Sequence, residues 1–200
     1  MYLHKEGVCL CKAELSDVEF LHDLKCENWW GTHKTIVLSR QDTCNWFSNL
    51  PSSTLVMIAK QDYRRIGVAL YQDIDPIART ANVSGAVLKE KRGELSFSAF
   101  KAGVDFAFEI LNLNRLNAEV SETHAGALKL ETNVLGFQVE GRKRKAIYKC
   151  GQYYDSIVIG LLREEWQTQT RVLGYGGVCN KNFDLEKAEF SSQVSRKVIG

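Results

Sequence analysis

Apolar residues recur along this chain in two rhythms, one alternating and one spaced by three and four. The first is characteristic of half-buried strands and the second of amphipathic helices. Gly7–Leu15 alternates, which places Cys9 and Cys11 on one side of a strand and Val8 and Leu10 on the other. Ser16-Asp17-Val18-Glu19 has the form of a capping box ahead of Phe20, Leu21 and Leu24, so a helix is predicted to start there and end near Asn28. After the loop WWGTHKTIVLSR, Asp42-Thr43 opens a short helix through Trp46 and Phe47, closed by Leu50-Pro51. Thr54–Lys60 and Arg65–Tyr71 are rich in β-branched and apolar residues, and the polar turn Gln61–Arg64 between them predicts a hairpin.

The stretch from Asn82 to Phe137 organises the chain. A short apolar strand, Val83–Leu88, feeds a charged turn around Gly93. A long helix follows, with Phe97, Phe100, Val104, Phe106, Ala107, Ile110 and Leu111 at helical spacing. Arg115–Val120 is the next strand, and a second amphipathic segment ends at Leu135-Gly136-Phe137. Beyond it, Gln138–Cys150 reads as a strand pair interrupted by the basic run Arg142-Lys143-Arg144-Lys145, a solvated hairpin tip or an anion contact. Asp155–Leu162 is a final strand, and Arg163-Glu164-Glu165-Trp166 closes the compact unit. Residues 167–200 are polar and glycine-containing, with one weak helical run, Asp184–Val194. They form an extension that is a docking arm, a dimer element or partly disordered. Strands interleaved with helices in this order predict a mixed sheet of the α/β (α+β) class.

Composition narrows the functional classes. Two hundred residues make one domain able to bury roughly 70% of its unfolded surface. Twenty-six Lys and Arg against 24 Asp and Glu leave the chain nearly neutral, which argues against a dedicated nucleic-acid binder. Six cysteines without a CxxC pair read as reduced thiols, and no His/Cys pattern suggests a metal. The first residues contain neither a secretory signal nor a span, so a cytoplasmic protein without membrane contact is expected.

A strand that enters a glycine turn and then a helix leaves unpaired N–H groups at a positive dipole end, a geometry suited to phosphate. This turn, the phrase Leu135-Gly136-Phe137-Gln138-Val139-Glu140-Gly141 and the closing GQYYDSIVIGLLREEW together resemble the GNAT (Gcn5-related N-acetyltransferase) superfamily. The resemblance is to its ribosomal-protein and flagellin amino-sugar branch and covers about Gly7–Trp166, giving a domain over 1–166.

It implies a mixed sheet with a splayed pair of parallel strands, and acetyl-coenzyme A (coenzyme A) as acyl donor. The free strand edge at Ala86, Val87, Leu88 and Lys89 would pair with the pantetheine arm, with an oxyanion contact near Ala86 or Val87. The pyrophosphate turn falls on Lys91-Arg92-Gly93-Glu94-Leu95-Ser96, where Lys91 replaces the family's Arg and Glu94 its first Gly. Ala125 and Leu128, on the following helix, complete the coenzyme contacts. The family's leaving-thiolate acid is a Tyr four residues before the Gly, and here that position is Thr132. Tyr148, Tyr153 and Tyr154 are alternative phenols. Glu119 and His124 are candidate bases for the attacking amine, set against the commoner roles of such residues, an ion-pair partner for Glu119 and a surface loop histidine for His124. Trp29, Trp30, Tyr154 and Asp155 are candidate acceptor contacts.

The implied activity is N-acetyl transfer to a primary amine, with an amino-sugar nucleotide foremost. A protein N-terminus is the close alternative, and a non-catalytic acyl-coenzyme A-binding module is the rival from another class. The partners expected are a small-molecule or peptide amine and a second copy in a homodimer.

Overall fold

The computed structural model describes residues 3–5, 7–29 and 39–172. The loop containing Trp30 and the extension from 173 onward lie outside the described residues. Eight strands form one sheet in the order β1-β2-β3-β4-β5-β6-β8-β7. They are β1 (Leu3–Lys5), β2 (Val8–Lys12), β3 (Leu55–Gln61), β4 (Arg64–Asp75), β5 (Thr80–Val87), β6 (Arg115–Ser121), β7 (Gln138–Lys149) and β8 (Gln152–Leu162). The helices are α1 (Val18–Glu27), α2 (Arg40–Ser48), α3 (Glu94–Glu109), α4 (Ala125–Lys129) and α5 (Arg163–Val172). A π turn, Leu130–Val134, continues α4.

Alternation on the strands divides the core. Val8, Leu10, Met57, Ala59 and Ile66 pack with Ala102, Phe106, Ala107 and Phe108 of α3 on one face. Ile58 and Val56 pack with Leu21 of α1 on the other, where Phe47 of α2 joins them. Cys9 and Cys11 lie side by side as expected, their Sγ atoms 3.7 Å apart.

Several local expectations are corrected. Ser16 does not cap α1; a single 3-10 turn, Leu15–Asp17, precedes it, and the Asp17 carboxylate accepts from the Glu14 N–H and from Arg65 Nε at 2.6 Å. The cap of α2 is Ser39, three residues before Asp42. Its Oγ accepts from the Asp42 N–H, while the Asp42 carboxylate accepts from the Ser39 N–H. Residues 138–149 form one strand, not a pair. The basic run bows out as a bulge between Lys143 and Ile147, and the Asp155 carboxylate fills the gap by accepting from the Lys145 N–H and from Arg142. The hairpin tip is Cys150-Gly151, both at positive φ, a turn favoured by glycine that matches strand twist.

The closing segment has a packing role. Asp105 on α3, fully buried, accepts from Lys101 Nζ at 2.6 Å and from Trp166 Nε1 at 2.7 Å, and Trp166 stacks on Phe108. Arg163 donates to the carbonyls of Phe108 and Leu113, satisfying groups at the end of α3. Residue 166 thus lies inside α5, which continues to Val172.

Candidate active site

The only parallel pair among the described strands is β5 and β6, and they pair over three residues alone, Thr80–Asn82 against Arg115–Asn117. Asn117 pins the last of these contacts by donating to the Ala81 carbonyl. Beyond it the strands part. A groove partly open to solvent fills the gap between Val83, Gly85 and Val87 of β5, Ala118 of β6, the inner face of α3, and Glu131, Leu135 and Phe137. Phe100 forms its floor. A Cβ on Gly85 would lie 2.9 Å from that ring, so glycine is needed for the helix to approach the strand.

The free edge can be assigned by alternation. The Leu88 N–H donates to the Ile66 carbonyl on β4, while the Ala81 carbonyl faces β6. Even-numbered backbone groups of β5 therefore face β4, and those of Val83, Gly85 and Val87 face the groove. Of the four residues expected to present this edge, Val87 does so. Ala86 and Leu88 point the other way, and the Lys89 N–H is given to Glu27 Oε1.

The turn after β5 is braced against the end of α1. Asn28 Nδ2 donates to the Val87 carbonyl, and its Oδ1 accepts from Arg92 Nη2 at 2.8 Å. Lys91 is half-buried in the short turn Lys89–Lys91. Gly93 is the N-cap of α3 at φ 116° and ψ −139°, a conformation other residues avoid, and a Cβ there would meet nothing within 4 Å. The backbone of Glu94, Leu95 and Ser96 forms the first turn of α3, whose N–H groups have no intrahelical acceptor. The side chains of Glu94 and Leu95 lie outside the described residues. Ser96 Oγ closes the cap by donating to the Gly93 carbonyl. An open approach to helix N–H groups, next to a free strand edge and an apolar groove, fits a phosphorylated carrier with a long, hydrogen-bonding arm.

The remaining expected residues divide between groove and periphery. Leu128 of α4 packs against the core, while Ala125 is exposed at the helix start. His124 is half-buried at the N-cap of α4. Burial, with the charges of Arg92 and Lys149, holds its pKa below the usual imidazole value, so it is neutral at pH 7. Thr132 Oγ1 donates to the Leu128 carbonyl at 2.8 Å, committing it to its own helix. Glu119 is bound by Lys143 and by Ser156 Oγ, on the opposite face of β6 from Ala118.

Tyr148 and Tyr153 meet in a tilted ring contact near the β7–β8 tip, with β8 between β7 and β6, and Tyr154 donates to Gln152. Neither Tyr148 nor Tyr154 lines the groove. Asp155 holds the β7 bulge, and the Lys145 N–H and Arg142 keep its carboxyl below the usual carboxylate range. Trp29 is 42% exposed beyond α1; Trp30 lies outside the described residues.

One groove residue carries no sequence signal. Glu131 lines the cavity, its Oε2 is buried and has no hydrogen-bond partner, and burial raises its pKa to about 7. In sequence it is one polar residue in an amphipathic segment. Its orientation depends on the π turn, in which the Leu135 N–H reaches back to the Leu130 carbonyl.

Residues 30–158 match the model of the acetyltransferase (GNAT) domain family. The chain belongs to the GNAT acetyltransferases. It is an N-acetyltransferase that uses acetyl-coenzyme A and acts on an amine. This GNAT chain is 26% identical over 178 residues to an uncharacterised N-acetyltransferase of Bacillus licheniformis, covering 82% of the chain and 97% of that protein. It is 29% identical over 104 residues to YdaF of Bacillus subtilis (strain 168), provisionally named a ribosomal N-acetyltransferase; the match spans 50% of the chain and 55% of YdaF. Its fold matches spermidine N-acetyltransferase of Vibrio cholerae, solved with CoA and spermine. The TM-score is 0.74 at 20% identity, covering 82% of this chain and 99% of that one. Among the described residues no helix is long and apolar enough to cross a membrane.

Proposed function

We propose that this acetyltransferase modifies the primary amine of a small anionic acceptor, with an amino-sugar nucleotide as the first candidate. The observation that carries the transfer step is the splay of β5 and β6, which opens an apolar groove beside unpaired backbone groups. The Val87 N–H and the first turn of α3 would hold the carrier, and bound acetyl-coenzyme A supplies an activated thioester carbonyl. The chain then has to stabilise negative charge on that carbonyl oxygen, for which the Val87 N–H faces the right side of the strand. It also has to exclude water, which the Phe100, Leu135 and Phe137 walls favour.

Charge distribution supports the acceptor class. Glu119, Glu122 and Asp155, the carboxylates at the far end of β6 and β8, are engaged by Lys143 and Arg142. A polycation would have to break these pairs, whereas the Arg142–Lys145 run offers more cations than the carboxylates match. The partial likeness to YdaF favours a second reading, a protein N-terminus. Thiol release with acetyl-coenzyme A and a panel of a nucleotide-linked amino sugar, short peptides and spermidine tests the choice. The highest kcat/KM is expected for the sugar nucleotide. Turnover of peptides alone would establish the second reading, and turnover of spermidine alone would overturn both.

A further inference from the structure

A carboxyl with a buried, unpartnered oxygen inside an otherwise uncharged groove needs a reason, because burying an ionised group without a partner costs several kcal/mol in general. The other groove walls come from β3 and β4 (Ala59, Ala69), β5 (Val83), α3 (Val104), β6 (Ala118) and the start of β7 (Phe137). No titratable side chain other than Glu131 lines the groove among the described residues. Ionisable groups on the neighbouring elements α3, β4 and α4 are placed otherwise. Lys101 and Asp105 pair with each other, Tyr71 donates to the Gly103 carbonyl, and His124 sits at the start of α4.

Position 132, where the family resemblance implies a phenol, is held by a hydroxyl already bonded to Leu128. Neighbouring side chains on a helix diverge by roughly 100°, so a residue beside position 132 normally points elsewhere. Here the widened π turn leaves Thr132 against its own backbone and Glu131 in the groove.

We propose that Glu131 is the proton donor of this site: its carboxyl protonates the sulfur that leaves the thioester, in place of the side chain at position 132. This proposal rests on the acetyl-transfer reading above. Attack by the amine forms the C–N bond and breaks the C–S bond. Glu131 gives its proton to the departing sulfur, the amine nitrogen loses one proton to water, and the carboxylate is reset by a proton from solvent. Burial keeps the Glu131 carboxyl protonated up to about 7, and an ordinary thiol binds its proton up to roughly 8.5. Transfer to sulfur is therefore downhill, and the apolar walls favour the neutral acid as the resting form.

The test compares wild type with Glu131→Gln, which keeps the shape and polarity but carries no transferable proton, and with Glu131→Asp, which keeps the acid on a shorter stem. Three readouts are needed: coenzyme A affinity by calorimetry, kcat against pH, and the carboxylic-acid stretch in difference infrared spectra. Expected are coenzyme affinity within about threefold, a fall in kcat of about 100-fold or more in Glu131→Gln, and partial activity in Glu131→Asp. The wild-type kcat should decline as pH rises through about 7. That decline, and an infrared carboxyl band that titrates over the same range, should be absent from Glu131→Gln.

Wild-type kcat and pH profile retained in Glu131→Gln would overturn the assignment while leaving acetyl transfer intact. So would an infrared spectrum showing no protonated carboxyl lost with the substitution. A wild-type protein that acetylates no amine of the panel would overturn both readings.

Discussion

At the scale of single residues, Glu131 and Gly93 show two ways in which a site costs stability. Glu131 keeps its proton in the folded protein to about pH 7 but gives it up near 4.5 when unfolded. Its folded pKa is the raised one, so its contribution is neutral below about 4.5 and becomes a growing penalty as pH climbs to about 7. Glu131→Gln should therefore raise stability at pH 8 by about 1–3 kcal/mol, allowing for partial solvent access, and by almost nothing at pH 4. Denaturant melts at the two pH values check this, and an equal effect at both would contradict it.

Gly93 holds φ 116° in open space, so Gly93→Val is resisted by backbone strain rather than by a clash. We expect about 1–3 kcal/mol of lost stability and at least a tenfold weaker affinity for coenzyme A by calorimetry, as the first turn of α3 shifts. Gly93 was legible from sequence because strand, glycine and helix follow in order. Glu131 was not, because no local pattern shows which side of a helix faces a groove when a π turn changes the register.

At the scale of elements, the alternating and helical rhythms located β3, β4, β6, α1 and α3 well, since each has one buried face that the pattern records directly. The errors fall where side chains satisfy backbone groups. Asp155 turns a basic run into a bulge, and Ser39 starts α2 earlier than its first polar pair suggests. Neither choice leaves a hydrophobic signature.

The link between α3 and α5 rests on Asp105, which joins Lys101 and Trp166 at full burial. Asp105→Ala should destabilise the fold by about 3–5 kcal/mol, because Lys101 loses that carboxylate while remaining largely buried. Trp166→Phe, which removes the indole N–H but keeps the stack on Phe108, should cost about 1–3 kcal/mol. Thermal or urea unfolding distinguishes the two, and equal losses would mean that the Trp166–Asp105 bond, rather than the Lys101 pair, carries the contribution of the carboxylate.

At the scale of the whole molecule, the proposed transfer step rests on one parallel pair coming apart in a described sheet that is otherwise antiparallel. Three paired residues hold β5 to β6, Asn117 marks the point of separation, and the helices on one face deliver a dipole end and an apolar wall to the opening. The order of elements and the glycine turn made this architecture readable in advance. The acceptor class proposed above was not readable, because the ion pairs it is argued from form between β6, β7 and β8, which are distant in sequence. The most direct test is to incubate the protein with acetyl-coenzyme A and the amine panel while measuring released thiol and acetylated product together. One thiol released per acetylated amine is predicted, with release abolished when the amine is omitted. Coenzyme binding without any acetylated product across the panel would contradict it.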